Sequence, residues 1–199
     1  MKVHLGILIS GRGTNMAALI TAAMEGRLSA DVRVVVSNRA DAPGLERAAA
    51  LGVPTQVISH RDFPSREAFD SALADCLEAH GVELVALAGF MRVLTPNFLA
   101  RFPSRIVNIH PSLLPNFPGL NPHRRVLEHG VKVTGCTVHL VVEDPDAGPV
   151  LAQEAVEVRP DDTEETLAAR VLAVENRLYP EALEAFIRSK FFARGDSRC

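Results

Sequence analysis

Asparagine and histidine stand two residues apart in the run Asn108-Ile109-His110-Pro111-Ser112-Leu113-Leu114-Pro115, and a carboxylate follows in Asp146-Ala147-Gly148-Pro149. One short segment thus offers an amide donor and an imidazole together, and a second offers a carboxylate to complete them. Arg105-Ile106-Val107 reads as the approach of a buried strand, and Pro111 ends its ladder because proline has no N–H. Residues two apart on a strand share a face. Asn108 and His110 therefore project together from a strand's carboxyl end, where open α/β sheets bind ligands. Alone, His110 would read as a core histidine and Asp146 as a turn residue. It is the combination that argues for chemistry.

A second candidate is Ser10-Gly11-Arg12-Gly13-Thr14-Asn15, between the first apolar run and the first helical segment. Its glycines let the backbone approach a ligand, and free N–H groups at a helix start attract an anion such as phosphate. A dinucleotide fingerprint would need glycine at position 16, which is Met16, and an acid after the second strand, where Ser37-Asn38 stands. A monophosphate cradle fits better.

The other histidines carry less. His139 alternates with Val138 and Leu140 and reads as a structural strand residue; His123 and His129 fall in a short helix closed by Gly130, without metal-ligand company. His4, His60 and His80 read as surface or edge positions. Glu175 lies near the edge of an apolar helical stripe, and periodicity alone reads it as solvated. No metal site is expected.

The elements that must position these groups follow from hydrophobic periodicity. Val3 to Ile9, Val32 to Val36, Thr55 to Ile58, Leu84 to Ala88 and Ile106 to Ile109 read as buried strands, with helices near 16–25, 44–51, 66–80 and 96–101. Ser65 and Thr95-Pro96 are helix starts. This alternation predicts a Rossmann-like α/β fold with a mostly parallel sheet flanked by helices. Val133 to Val142 and Val150 to Val158, joined by a turn-rich segment, predict an added antiparallel hairpin. A long final helix opens at Asp161 to Glu165 with Leu167, Val171, Val174 and Leu178 on one stripe. One domain over 1–190 is expected, with 191–199 a flexible tail.

The bulk numbers agree. The 199 residues are 47% hydrophobic but only 5% aromatic, so aliphatic side chains fill the core. A net charge of −3 argues against a nucleic-acid surface, and no segment has the length or character of a membrane span. Three cysteines without a CxxC pair suit a reducing cytoplasm.

At this point the chain resembles the phosphoribosylglycinamide formyltransferases, a folate-dependent family of purine biosynthesis, over about residues 2 to 187. Ile9 to Asn15, Ala88 to Leu94, Asn108 to Pro115, Phe117-Pro118-Gly119-Leu120 and Asp146 to Pro149 carry the likeness. The resemblance implies that 10-formyltetrahydrofolate donates a formyl group to glycinamide ribonucleotide, with Asn108, His110 and Asp146 catalytic. It implies that Gly13, Thr14 and Asn15 hold the acceptor's phosphate, that Gly89, Pro111 and Glu175 line its pocket, and that Glu175 meets the ribose. Arg66, Met91, Arg92, Val93, Leu94 and Asn108 would serve the folate, with the Glu143 to Gly148 loop closing on its pterin. A cytoplasmic monomer or weak homodimer without metal, nucleic acid or membrane is expected. Two departures stand out: Asn121-Pro122-His123 where many relatives carry His-x-His, and Ala147 inside the acidic motif.

Four rival readings fit less well; one of them, a catalytically silent ligand-binding module, has little reason to keep Asn108, His110 and Asp146 together. A methionyl-tRNA formyltransferase would be expected to bring an RNA-binding domain and a basic surface, and a formyltetrahydrofolate hydrolase an N-terminal regulatory domain. A dinucleotide oxidoreductase lacks its third glycine and ribose-binding acid.

Overall fold

The computed structural model describes residues 2–192. Its elements run β1 (Val3–Ile9), α1 (Thr14–Met24), β2 (Ala30–Ser37), α2 (Pro43–Ala50), β3 (Thr55–Val57), α3 (Arg66–Ala79), β4 (Leu84–Leu87), α4 (Pro96–Arg101), β5 (Ile106–His110), α5 (Pro122–Glu128), β6 (Val133–Leu140), β7 (Val150–Glu157) and α6 (Glu164–Ile187). The seven strands form one sheet in the order β3-β2-β1-β4-β5-β6-β7. The first five are parallel and β6 and β7 antiparallel, so the expected α/β architecture and hairpin are both present.

The central strands are apolar because helices cover both faces. Leu5, Ile7 and Ile9 of β1 enter one core with Met16, Tyr179 and Leu183, whereas Leu8 enters the other with Val34, Phe69 and Phe98. That alternation is the period of two built into a pleated strand. Helix starts follow the side chains that can cap them: Ser65 Oγ accepts from the Ala68 amide, Thr95 Oγ1 from Phe98, and Thr163 and Thr166 cap each other reciprocally.

β1 has β2 on one side and β4 on the other. Chain connections leave this junction in opposite directions, which opens a crevice beyond the strands' carboxyl ends. Ser10 follows β1 there, Gly89 follows β4, and Asn108 and His110 close β5. Tyr179 of α6 reaches under the same edge, its buried hydroxyl 3.1 Å from the Leu87 carbonyl and 2.9 Å from that of Val107.

The carboxyl end differs from expectation. Arg188–Phe192 continue α6 as a π-helical turn, and Phe191 and Phe192 pack half-buried against the first core, because two aromatics gain more from apolar contact than from solvent. Order therefore extends past the 190 boundary, and residues 193–199 of the expected tail lie outside the described residues. No helix of the described residues is long and apolar enough to cross a membrane.

Candidate active site

Strand β5 presents Asn108 and His110 from one face, and antiparallel pairing with β6 sets His139 opposite Asn108. The loop between β6 and β7 then returns Asp146 over them. Gly148 makes that return tight: a Cβ there would lie 1.8 Å from the Leu140 carbonyl oxygen, so no larger residue permits this path. Asp146 itself sits at φ 58°, a left-handed conformation that aspartate tolerates better than most residues.

Three groups that the sequence pattern singled out are thus brought together. His110 Nδ1 lies 3.4 Å from Asp146 Oδ2, with the imidazole almost fully buried. The other ring nitrogen, Nε2, faces the Phe117 carbonyl at 3.0 Å, and Asp146 Oδ2 also accepts the Gly119 amide at 2.8 Å. Asp146 Oδ1 lies 3.7 Å from His139 Nε2.

His139 is a buried residue of β6, the structural strand histidine expected, and it also orients Asn108. Its Nδ1 donates to the Leu140 carbonyl at 3.0 Å, leaving Nε2 to accept from the Asn108 amide at 3.2 Å. Burial lowers its pKa below the usual imidazole range, in keeping with that neutral form. One Asn108 N–H is therefore committed and the amide plane is set, with the second N–H left to give. The one signal in the sequence was a polar residue on an apolar strand.

The turn at Gly13 is equally constrained. Gly13 caps α1 at φ 68°, and the first helical bond runs from the Ala17 amide to the Gly13 carbonyl. The amides of Thr14, Asn15 and Met16 thus have no partner within the helix. A Cβ on Gly13 would lie 3.0 Å from both Gly44 Cα and Met16 Cε. Gly13→Val is expected to distort this turn, weakening binding of inorganic phosphate more than tenfold, as titration of both proteins would show. An unchanged phosphate affinity in the folded variant would mean that the turn holds no anion.

Glu175 is buried at 6% exposure, against the solvated reading, and its Oε2 accepts from Asn15 Nδ2 at 2.9 Å. The last helix packs on the first, which turns the edge of its stripe inward. Burial pushes the Glu175 carboxyl up to about 7, partly offset by the Asn15 bond. Because the folded pKa lies above the unfolded one, this group's stabilisation is complete at low pH and is lost as pH rises through about 7. The difference is on the order of 3 kcal/mol. Urea midpoints from pH 5 to 8 are expected to fall for the wild type relative to Glu175→Gln; parallel curves would refute this.

The remaining candidates lie around the same crevice. Gly89, at φ 75°, and Met91 to Leu94 follow β4, Pro111 follows β5, and Arg92 is half-buried. Arg66 Nη2 donates to the Val93 carbonyl at 2.6 Å, which places it beside the same segment. Beside the Asp146 loop lies a cleft of about 260 Å³ lined by Leu99, Phe102, Ile106, Val141, Val142 and Glu143. The first three come from α4, the turn after it, and β5. Among the described residues no group of three or more His, Cys, Asp or Glu side chains is arranged to hold a metal ion.

Residues 3–183 match the formyl transferase family. The chain belongs to the formyl transferase family. It is 42% identical over 184 residues to phosphoribosylglycinamide formyltransferase of Escherichia coli K12, covering 92% of this chain and 87% of that protein. It is 51% identical over 183 residues to the trifunctional purine biosynthetic protein adenosine-3 of Gallus gallus, where 92% of this chain spans only 18% of that protein's length. The crystal structure of glycinamide ribonucleotide transformylase 1 from Symbiobacterium toebii superposes with a TM-score of 0.93 at 53% identity, covering 94% of this chain and 89% of that one.

Proposed function

We propose that this formyl transferase moves the formyl group of 10-formyltetrahydrofolate to the primary amine of glycinamide ribonucleotide in purine biosynthesis, in the cytoplasm, with residues 1–190 as its one domain. The observation that carries the reading is the convergence of Asn108, His110 and Asp146 at the sheet edge that also carries the phosphate turn. The likeness to the E. coli and S. toebii proteins supports the acceptor.

The acceptor's phosphate rests on the amides of Gly13, Thr14 and Asn15. Glu175 accepts from its ribose, and Gly89 and Pro111 line the path to the amine. The pterin enters the apolar cleft beside Val141 and Val142, and the Met91 to Leu94 backbone and Arg92 hold the rest of the folate. Arg66 contributes by bracing Val93.

The neutral amine attacks the formyl carbon and its C=O becomes an oxyanion. The free N–H of Asn108 donates to it, and the Nε2–H of His110 exchanges the Phe117 carbonyl for it. Donors of this kind contribute about 3 kcal/mol each to lowering the barrier. Asp146, against Nδ1, takes the proton that leaves the attacking nitrogen, directly or through water. As the oxyanion collapses, the bond to the folate N10 breaks and N10 takes the Nε2 proton of His110, which the proton held by Asp146 replaces, leaving a formamide and tetrahydrofolate.

Purified protein with 10-formyltetrahydrofolate, offered glycinamide ribonucleotide, methionyl-tRNA or water, tests this directly. Formylation of glycinamide ribonucleotide alone is the expected result. Transfer to the tRNA, or release of formate, would assign the chemistry to a different acceptor.

A further inference from the structure

Ser10 closes the end of β1 at the junction with β4, and its side chain takes no part in the phosphate turn. The hydroxyl donates to Asn38 Oδ1 at 2.6 Å and accepts from the Met91 amide at 2.8 Å. Its own N–H bonds to the Gly89 carbonyl at 3.1 Å. Ser10 and Asn38 are 6% and 4% exposed, so water competes little for these bonds. The remaining amide of Asn38 faces His60 Nδ1 at 3.3 Å, which holds the side chain in the orientation that aims its oxygen at Ser10.

At the far end of the same segment Arg66 holds the Val93 carbonyl. The backbone from Met91 to Val93 is therefore fastened at both ends, yet the Met91 and Val93 side chains stand 66% and 51% exposed. Such a segment offers an apolar face whose ordering has been met before a ligand arrives. Burial of the fastening groups, with exposure of what they fasten, is the arrangement expected of a support beneath a binding surface.

We propose that Ser10, oriented by Asn38, is a positioning residue for the folate: it fixes the Met91 amide so that the 91–94 segment meets the cofactor-like donor in one geometry. The proposal rests on the reading of that segment as part of the folate site. Without the hydroxyl, the Met91 N–H loses its partner and the segment must be ordered during binding, which weakens affinity for the folate and not for the acceptor.

Calorimetric titration with tetrahydrofolate and with glycinamide ribonucleotide tests it. Ser10→Ala is expected to raise the tetrahydrofolate Kd about tenfold, the consequence of one lost hydrogen bond. The glycinamide ribonucleotide Kd is expected to stay within twofold, and kcat at saturation of both substrates within about threefold. Asn38→Ala repeats the effect and carries the test if Ser10→Ala does not fold. The double variant is no weaker than the worse single one, because both act through one hydroxyl. An unchanged tetrahydrofolate Kd in a folded Ser10→Ala protein, or equal weakening of both ligands, overturns the proposal. The combined Met91→Ala and Val93→Ala variant separates the two layers. If it and Ser10→Ala both bind tetrahydrofolate normally, the segment is no part of the folate site and that reading fails with the positioning role; if it binds weakly while Ser10→Ala binds normally, only the positioning role fails.

Discussion

His110→Ala is expected to lower kcat by two orders of magnitude or more while both KM values stay within a few-fold. The imidazole is nearly buried, with Nε2 on the Phe117 carbonyl and Nδ1 against Asp146, so its removal deletes an oxyanion donor and the route for a proton together. Loss of one preorganised donor is typically worth about a hundredfold or more in rate. Neither nitrogen belongs to the phosphate turn or to the apolar cleft, which is why binding is expected to survive. Steady-state kinetics with each substrate varied in turn, on protein whose urea midpoint has been checked, measures the split. Near-normal turnover would assign the chemistry to another group.

Asp146→Asn is expected to cost about a hundredfold in kcat, through a different step. An asparagine oxygen can still accept the Gly119 amide, so the loop keeps its anchor and the left-handed turn its residue type. What it lacks is a carboxylate able to face a proton-bearing Nδ1 and to take up a second proton. Proton transfer, not oxyanion binding, should become limiting, and a solvent isotope effect on kcat larger than the wild type's would mark it. Full activity in the asparagine variant would reduce Asp146 to a turn residue.

Much of this was legible before any fold was known, and the reason is local. The spacing of Asn108 and His110 places both on one face of a strand whatever that strand packs against, and Pro111 marks where it ends. Gly13 before Thr14 and Asn15 likewise declares a strand-to-helix turn with free amides, because left-handed backbone and helix starts depend on adjacent residues. The alternation of apolar runs and amphipathic stretches carried the sheet class for the same reason.

What the sequence could not supply was decided across long separations. Glu175 and Asn15 are 160 residues apart, and only the packing of α6 on α1 turns a stripe-edge glutamate into a buried partner. His139 matters because β5–β6 register sets it opposite Asn108, and a one-residue slip would have sent it to the other face. Leu99, Phe102 and Ile106 pack in or against the second core and also line a cleft only because Val141 and Val142 face them. Arg66 and Val93 are 27 residues apart, and only the fold brings the guanidinium onto that carbonyl. Periodicity tells a residue which face it occupies; it carries no information about which other face arrives there, and charge, burial and proton position are set by that arrival.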